Sequence, residues 1–195
     1  MQADPIALAK ADLRKNATAR RDALSAPQRM AAAQTIAQRS LPIGVSAKNI
    51  VSGYSPLKSE ISPLPLMRVC ADNGARLALP VIAGRGNPLT MRAWTFGEAL
   101  TSGQWGIREP GPDAPELFPD ILIVPLLAFD RAGYRLGYGA GYYDMTIARL
   151  RAMKPVVTLG IAYAAQEVPA VPNSAFDEKL DLVLTERETI DLRTP

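Results

Sequence analysis

The chain contains no histidine, and that absence removes the largest block of enzyme chemistry at once. Ser/His/Asp and Cys/His nucleophilic catalysis, and His-ligated zinc or iron, all need an imidazole. The single cysteine, Cys70, excludes an intramolecular disulfide and a multi-cysteine metal site, and fits a reducing compartment. Long apolar runs are missing as well. The longest uncharged apolar stretch, Ile121 to Phe129, falls far short of the ~20 residues that a membrane-spanning helix needs. The N-terminus carries Asp4 and Asp12 and no apolar h-region, so it does not read as a signal peptide. A soluble cytoplasmic protein with no membrane partner is expected, working with carboxylates, Lys, Arg, Tyr and backbone amides.

What is present suits one substantial core. The 195 residues are 48% hydrophobic and 21% charged, which predicts a single domain spanning 1–195 rather than disorder or a fibrous repeat. The net charge of +3 is unevenly spread: up to Ser40 there are seven Lys/Arg against three Asp, and beyond it fifteen against sixteen acids. Such a local basic excess attracts an anion, whether nucleic acid, a phosphate ester or a polyglutamate tail.

Two helices are predicted to open the chain. The first runs from about Pro5 to Leu24 with Leu8, Leu13, Ala17 and Leu24 on its apolar side, and Lys10, Arg14 and Arg21 lie near one line along it. That line reads either as a solvated basic face or as an anion grip. Ser25 and Gln28 have capping-box spacing for a second helix that ends before Pro42. Short apolar runs then alternate with turn residues. Strands are predicted at Asn49 to Tyr54, Arg76 to Ile82, Leu89 to Phe96, Ile121 to Leu126, Val156 to Tyr163 and Asp181 to Leu184. Helices are predicted from Ser62 and Pro63 to Asn73, and from Tyr142 to Met153. This alternation argues for an α/β fold, an open and mostly parallel sheet with helices on both faces in three layers, preceded by the two N-terminal helices. Ligands of such sheets bind beyond the carboxyl ends of the strands, which directs attention to the loops after Tyr54 and after Phe129.

The second of those loops carries Arg135, Leu136, Gly137, Tyr138, Gly139, Ala140, Gly141, Tyr142, Tyr143 and Asp144. Three glycines at alternate positions ahead of a helix let backbone amides approach a phosphate, and Arg135 adds a positive charge. A tight strand-to-helix turn would account for the glycines equally well. The pattern lacks the Gly-Lys-Ser/Thr of a Walker A loop, and it lies too late in the chain for a dinucleotide fingerprint. Asp144 could complement the helix dipole or hold Mg²⁺, and Asp177 or Asp181 could join it. Glu60 is either a surface carboxylate or an acceptor for the N–H groups of a heterocycle, and Trp105 either fills the core or stacks on a flat ring.

Taken together, these residues resemble the 5-formyltetrahydrofolate cyclo-ligase family over nearly the whole chain. The matching elements are Lys10, Leu13 and Arg14; Glu60-Ile61; Leu79-Pro80; Gly106 to Pro110; Asp120 to Pro125; Phe129-Asp130; and Arg135 to Asp144. The resemblance implies a ligase of one-carbon metabolism. With ATP and Mg²⁺ it would cyclise 5-formyltetrahydrofolate to 5,10-methenyltetrahydrofolate, releasing ADP and phosphate. It further implies that Lys10, Arg14 and Arg135 through Tyr143 bind ATP, with Lys10, Arg14 and Arg135 aiding catalysis. Ser55, Glu60, Trp105 and Tyr138 through Tyr142 would contact the folate, and Asp144 and Asp181 the metal. A monomer acting on small molecules, and not on nucleic acid, is expected. Ala140, Met145 and Phe176 depart from the usual pattern, Ala140 standing where many relatives have glycine. A sugar-phosphate isomerase or an acyl-transfer enzyme on a similar sheet, with Glu60 as base, is the alternative, and dependence on ATP separates the two.

Overall fold

The structure is a computed structural model that describes residues 4–193. Helix α1 (Pro5–Asp22) starts at Asp4, whose carboxylate accepts the Ile6 N–H at 3.0 Å, and Pro5 occupies the first turn where no N–H is missed. Helix α2 (Ala26–Ala37) carries the expected capping box: Gln28 N–H donates to Ser25 Oγ, and Ser25 N–H to Gln28 Oε1 at 2.8 Å. There follow β1 (Ile50–Ser52), α3 (Leu64–Asp72), β2 (Arg76–Val81), β3 (Thr90–Ala93), β4 (Thr101–Ser102) and β5 (Arg108–Glu109). The rest of the chain forms β6 (Ile121–Val124), β7 (Ala128–Phe129), β8 (Arg135–Leu136), α4 (Tyr142–Met153), β9 (Val157–Ile161), β10 (Leu182–Leu184) and β11 (Thr189–Asp191).

Seven strands form one sheet in the order β11-β10-β9-β6-β1-β2-β3. The five inner strands are parallel to one another, and the edge strands β11 and β3 pair antiparallel. Strand alternation then sorts the core into two layers. Val51, Leu77, Leu79, Ile121, Ile123, Leu159, Ile161, Leu182 and Leu184 meet α2 and α3 on one face. Ala78, Leu122, Val124 and Val183 meet Ile147 and Leu150 of α4 on the other. Three-layer α/β/α architecture follows directly from that alternation.

Helix α1 is fastened differently. Only Ala17 and Arg21 of its residues are buried, and Leu8, expected on an apolar side, is exposed, as is Ile6. Leu13 and Ala17 rest on a small cluster with Leu127, Ala128, Leu136, Val168 and Val171. The helix is otherwise held by its cations. Lys10 Nζ lies 2.7 Å from both carboxylate oxygens of Asp177, and Arg14 Nε donates to the Gly137 carbonyl at 2.9 Å. Arg21 is fully buried. The basic line along α1 therefore faces the rest of the molecule and is not a solvated face.

Candidate active site

The loop joining β8 to α4 begins from a hairpin. Strands β7 and β8 pair antiparallel, and buried Asp130 ties the turn between them: its Oδ1 accepts the Ala132 and Tyr134 N–H groups, each at 3.0 Å, and its Oδ2 accepts Val171 N–H at 2.8 Å. The Gly137–Gly141 segment emerges from this rigid base with Tyr138, Gly139, Ala140 and Gly141 exposed. Gly139 has φ 101°, the conformation that calls for glycine, and a side chain there would also crowd the Arg14 guanidinium at 3.1 Å. Gly141, at φ 72°, caps α4 without any side-chain hydrogen bond, leaving the first-turn amides of the helix open to an anion. Ala140 is absent from the left-handed region, which explains why this chain tolerates alanine there.

Beneath the loop lies Arg135. Its guanidinium is buried, with Nη2 on Asp144 Oδ1 at 2.8 Å and Nη1 on the Glu178 carbonyl. It is thus committed to Asp144 and the Glu178 carbonyl. Burial works to lower the Arg135 pKa while the Asp144 charge opposes that fall. Asp144 Oδ1 also accepts the Glu178 N–H at 3.0 Å, and its Oδ2 makes no hydrogen bond among the described residues. One carboxylate oxygen beside open helix-head amides suits Mg²⁺, which commonly takes one or two carboxylates and fills its shell with water and phosphate oxygens.

Asp181 does not join Asp144 in the way expected. Its Oδ2 accepts from Thr158 N–H (2.7 Å), Thr158 Oγ1 (2.7 Å) and Arg151 Nη2 (3.0 Å), where β10 begins beside β9. Arg151 also holds Glu178, so the two aspartates are linked through Glu178 and Arg151 and share no direct partner. The strand pairing, invisible in sequence, is what draws Asp181 toward Thr158. Among the described residues no group of three acidic, cysteine or histidine side chains is suited to a metal. Asp177, the other candidate, is occupied by Lys10. Burial tends to raise its pKa, but the Lys10 ammonium and two hydrogen bonds from Ser174 outweigh that and hold it below the ordinary value.

Glu60 lies in the loop after β1, as expected from strand order, but it is not a surface carboxylate. Its side chain is only 5% exposed, Oε2 accepts the Leu57 N–H at 2.7 Å, and Oε1 is 4.0 Å from Arg21 Nη1. Burial raises its pKa above the ordinary glutamate value, against the opposing pull of the Leu57 N–H and the Arg21 charge. The same loop is braced by Tyr54, whose hydroxyl donates to the Ile61 carbonyl at 2.7 Å, and by Tyr163, whose hydroxyl donates to the Ser59 carbonyl at 3.2 Å. Ser55 reaches across to donate to the Arg108 carbonyl, tying this loop to the 103–110 segment. On that segment Trp105 is 69% exposed with φ 56°, and its ring stands 6.2 Å from that of Tyr142 at the head of α4. An exposed indole in a conformation rare for non-glycine residues is no core filler. Phe176, 88% exposed, stands next to Asp177.

Arg14 thus meets the Gly137–Gly141 loop directly, Arg21 joins that loop's Tyr138 to the Glu60 loop, Trp105, on the segment that Ser55 braces, stands by Tyr142, and Lys10 holds Asp177, whose neighbour Glu178 bonds Asp144. Sequence reasoning put Arg21 on the basic line of α1 but did not count it as a member of this group. A charge with no visible partner in sequence reads as solvated, and the signal that could have found it was its spacing of one helical turn from Ala17 on the buried side.

An open α/β sheet with its polar residues collected around a glycine-rich loop at the strand ends defines an α/β enzyme. The sequence pattern of the 5-formyltetrahydrofolate cyclo-ligase family matches residues 7–186, and the chain belongs to that family. It is 32% identical over 168 residues to the 5-formyltetrahydrofolate cyclo-ligase of Haemophilus influenzae, covering 80% of this chain and 87% of that one. With the enzyme of the same name from Escherichia coli K12 it shares 32% over 173 residues, covering 85% and 94%. The solved structure of Aquifex aeolicus 5,10-methenyltetrahydrofolate synthetase superposes with a TM-score of 0.77 at 30% identity, covering 95% of this chain and 94% of that one.

Proposed function

We propose that this chain, acting as one unit over 1–195 and as a cytoplasmic monomer, cyclises 5-formyltetrahydrofolate to 5,10-methenyltetrahydrofolate at the expense of ATP, with Mg²⁺. The observation that carries this reading is the meeting of two unlike half-sites. An amide-rich loop with an open helix head, flanked by Lys10 and Arg14, suits the phosphates. A shielded carboxylate, Glu60, suits the N–H edge of the pterin, with Ser55 and Trp105 alongside. Arg21 bridges them through Tyr138.

In the reaction the formyl oxygen attacks the γ-phosphorus of ATP, and ADP leaves with the electrons of the broken P–O bond. The carbon so activated is then attacked by N10, and the C–O bond breaks to release inorganic phosphate while N10 gives up its proton to that phosphate or to water as the ring closes. No protein nucleophile is needed, which suits a chain without histidine. The protein's task is positioning and charge neutralisation. Lys10 would exchange Asp177 for a phosphate oxygen, and Arg14 would meet the phosphates from the side of the loop it already touches. Arg135 would act by holding Asp144. When bound, Mg²⁺ would supply neutralisation of phosphate charge, and Asp144 would hold it through the oxygen that carries no hydrogen bond among the described residues. Asp181 would reach the metal after release from Arg151. The three cations of α1 that could have gripped nucleic acid all have partners within the molecule. Nothing observed favours the isomerase reading.

The direct test is to incubate the protein with 5-formyltetrahydrofolate, Mg²⁺ and ATP and follow the methenyl chromophore together with ADP. Both should rise in equal amounts and neither without ATP; methenyl product formed without ATP would overturn the proposal.

Replacing Lys10 and Arg14 together by Ala is expected to raise the KM for ATP about tenfold or more. Unlike surface cations, both are part-buried anchors of α1, so a stability loss of about 2 kcal/mol or more and a Tm lowered by ~4–8 °C should accompany it. Kinetics at a temperature where the variant is folded, alongside a thermal melt, checks both parts. Unaltered ATP kinetics in a folded variant would leave these residues as anchors alone.

A further inference from the structure

Arg21 is the one fully buried guanidinium joining the two half-sites, at 1% exposure, and the reaction outlined above makes no use of it. Buried arginine is rare unless its charge and its N–H groups are matched. Here each edge of the fork meets a different functional segment. Nε donates to Ser59 Oγ at 2.9 Å, in the loop that carries Glu60, and Nη2 donates to Tyr138 Oη at 2.8 Å, in the glycine-rich loop. Nη1 lies 4.0 Å from Glu60 Oε1, is sealed from solvent and makes no hydrogen bond of its own. Ser59 in turn donates to Asp22, the residue after Arg21, which fixes the serine hydroxyl as an acceptor toward the guanidinium. A charge this deeply buried and this incompletely bonded has the Glu60 carboxylate as its facing counter-ion at 4.0 Å, with Asp22 reached through Ser59.

We infer that Arg21 is a positioning residue for the reduced-folate half-reaction: from beneath the site it aims Glu60 and ties its loop to Tyr138 of the nucleotide loop. The inference rests on Glu60 being the carboxylate that receives the pterin. Arg21 itself, sealed from solvent, touches neither substrate. Lysine could supply the charge but not the two divergent N–H groups, because its ammonium is a point donor on a flexible stem.

The groups facing Glu60 make the consequence testable. Arg21 comes from α1, Tyr138 from the glycine-rich loop, Tyr143 from α4, Tyr54 and Tyr163 from the strand ends, and the Leu57 N–H from its own loop. Arg21 is the cation in this set. Removing it raises the Glu60 pKa further, so the acid limb of kcat/KM for 5-formyltetrahydrofolate should move to higher pH.

Arg21→Met and Arg21→Lys, made in the full chain, separate the alternatives. For Arg21→Met the KM for 5-formyltetrahydrofolate is expected to rise about tenfold, by more than the KM for ATP, with the acid limb displaced upward. Arg21→Lys should restore the limb to nearly its wild-type position while the folate KM stays raised, because the charge returns without the fork. A folded Arg21→Met with wild-type folate KM and an unmoved limb would overturn the inference, leaving only a packing role. Should Arg21→Met fail to fold, Arg21→Lys decides: a wild-type folate KM in that variant sinks it equally. Glu60→Gln serves as the control. If that change leaves folate binding untouched, the assignment of Glu60 is what has failed, whereas a strong Glu60→Gln effect beside a silent Arg21→Met rejects the role of Arg21 alone.

Discussion

Asp144→Asn is expected to lower turnover about 100-fold or more, and to shift the half-saturating Mg²⁺ concentration upward about tenfold. The reasoning starts from the two oxygens. Oδ1 is engaged by Arg135 and the Glu178 N–H, whereas Oδ2 is the oxygen left for a cation beside the amides of α4. Asparagine keeps an acceptor for the Glu178 N–H but carries no charge. It would therefore weaken a cation site and, in the same stroke, leave the buried Arg135 guanidinium without its counter-ion. Removing one partner of a buried pair commonly costs about 3 kcal/mol, which for a chain of this size lowers Tm by ~6–12 °C. Sequence reasoning alone treats this position as a helix-head acid that asparagine can replace at small cost; the ion pair with Arg135 makes the substitution a structural one too. Titrating Mg²⁺ at a temperature below the variant's melting transition separates the two effects. A wild-type Mg²⁺ curve and rate in the folded variant would reduce Asp144 to the partner of Arg135. Asp181→Asn is expected to move the Mg²⁺ curve less, since Asp181 is held by Thr158 and Arg151 and must leave them to reach a metal.

Much of this was legible from residue patterns, for identifiable reasons. The inner strands are short, apolar on both sides and bounded by turn residues, so Ile121–Val124 and Val157–Ile161 fall within the predicted runs. Helix α4 matches its predicted span from Tyr142 to Met153 because Gly141 and Lys154 bound a clear helical stretch. Strands β4, β5, β7 and β8 were not expected: two-residue pairings are set by hairpin geometry, here by the Asp130 turn for β7 and β8, and leave no periodicity to read. Strand β11 is an antiparallel edge, stabilised by pairing with β10. In the site, the glycine-rich loop and Glu60 were visible because strand order points to them. What the sequence could not disclose was which charges turn inward. Arg21 and Arg135 were singled out by position, but that both turn inward, unlike Arg20 and Arg131, follows only from the packing of α1 and β8.

The second large effect is expected at Glu60. Glu60→Gln should weaken 5-formyltetrahydrofolate binding by about 1.5–3 kcal/mol, or roughly 10- to 150-fold in Kd, with the affinity for ATP much less affected. The carboxylate is nearly sealed from water, so a hydrogen bond from a pterin N–H to it is charge-assisted and meets little competition from solvent. Glutamine offers one neutral oxygen and an amide donor that has to face either the ligand's own N–H groups or Arg21. The substitution removes the countercharge of Arg21, which lowers Tm, and relieves the burial of an ionised carboxylate, which raises it, so little net change in Tm is expected alongside the weaker binding. Calorimetric titration of each ligand, combined with a thermal melt, distinguishes the roles. A lowered Tm with unchanged folate affinity would mean that Glu60 serves only Arg21. The pH dependence supplies an independent signature, because the same pKa shift acts in opposite directions on stability and on binding. Burial raises the folded-state pKa of Glu60 above the ordinary glutamate value. Protonation is therefore easier in the folded protein than in the unfolded chain, and this group's contribution to stability is fully present below the unfolded pKa and is lost as pH rises through the folded one. The ligand needs the ionised form, so folate affinity should follow the reverse course, falling as pH drops through that same raised value. In Glu60→Gln this pH dependence of folate affinity should flatten, since the group that titrates is gone.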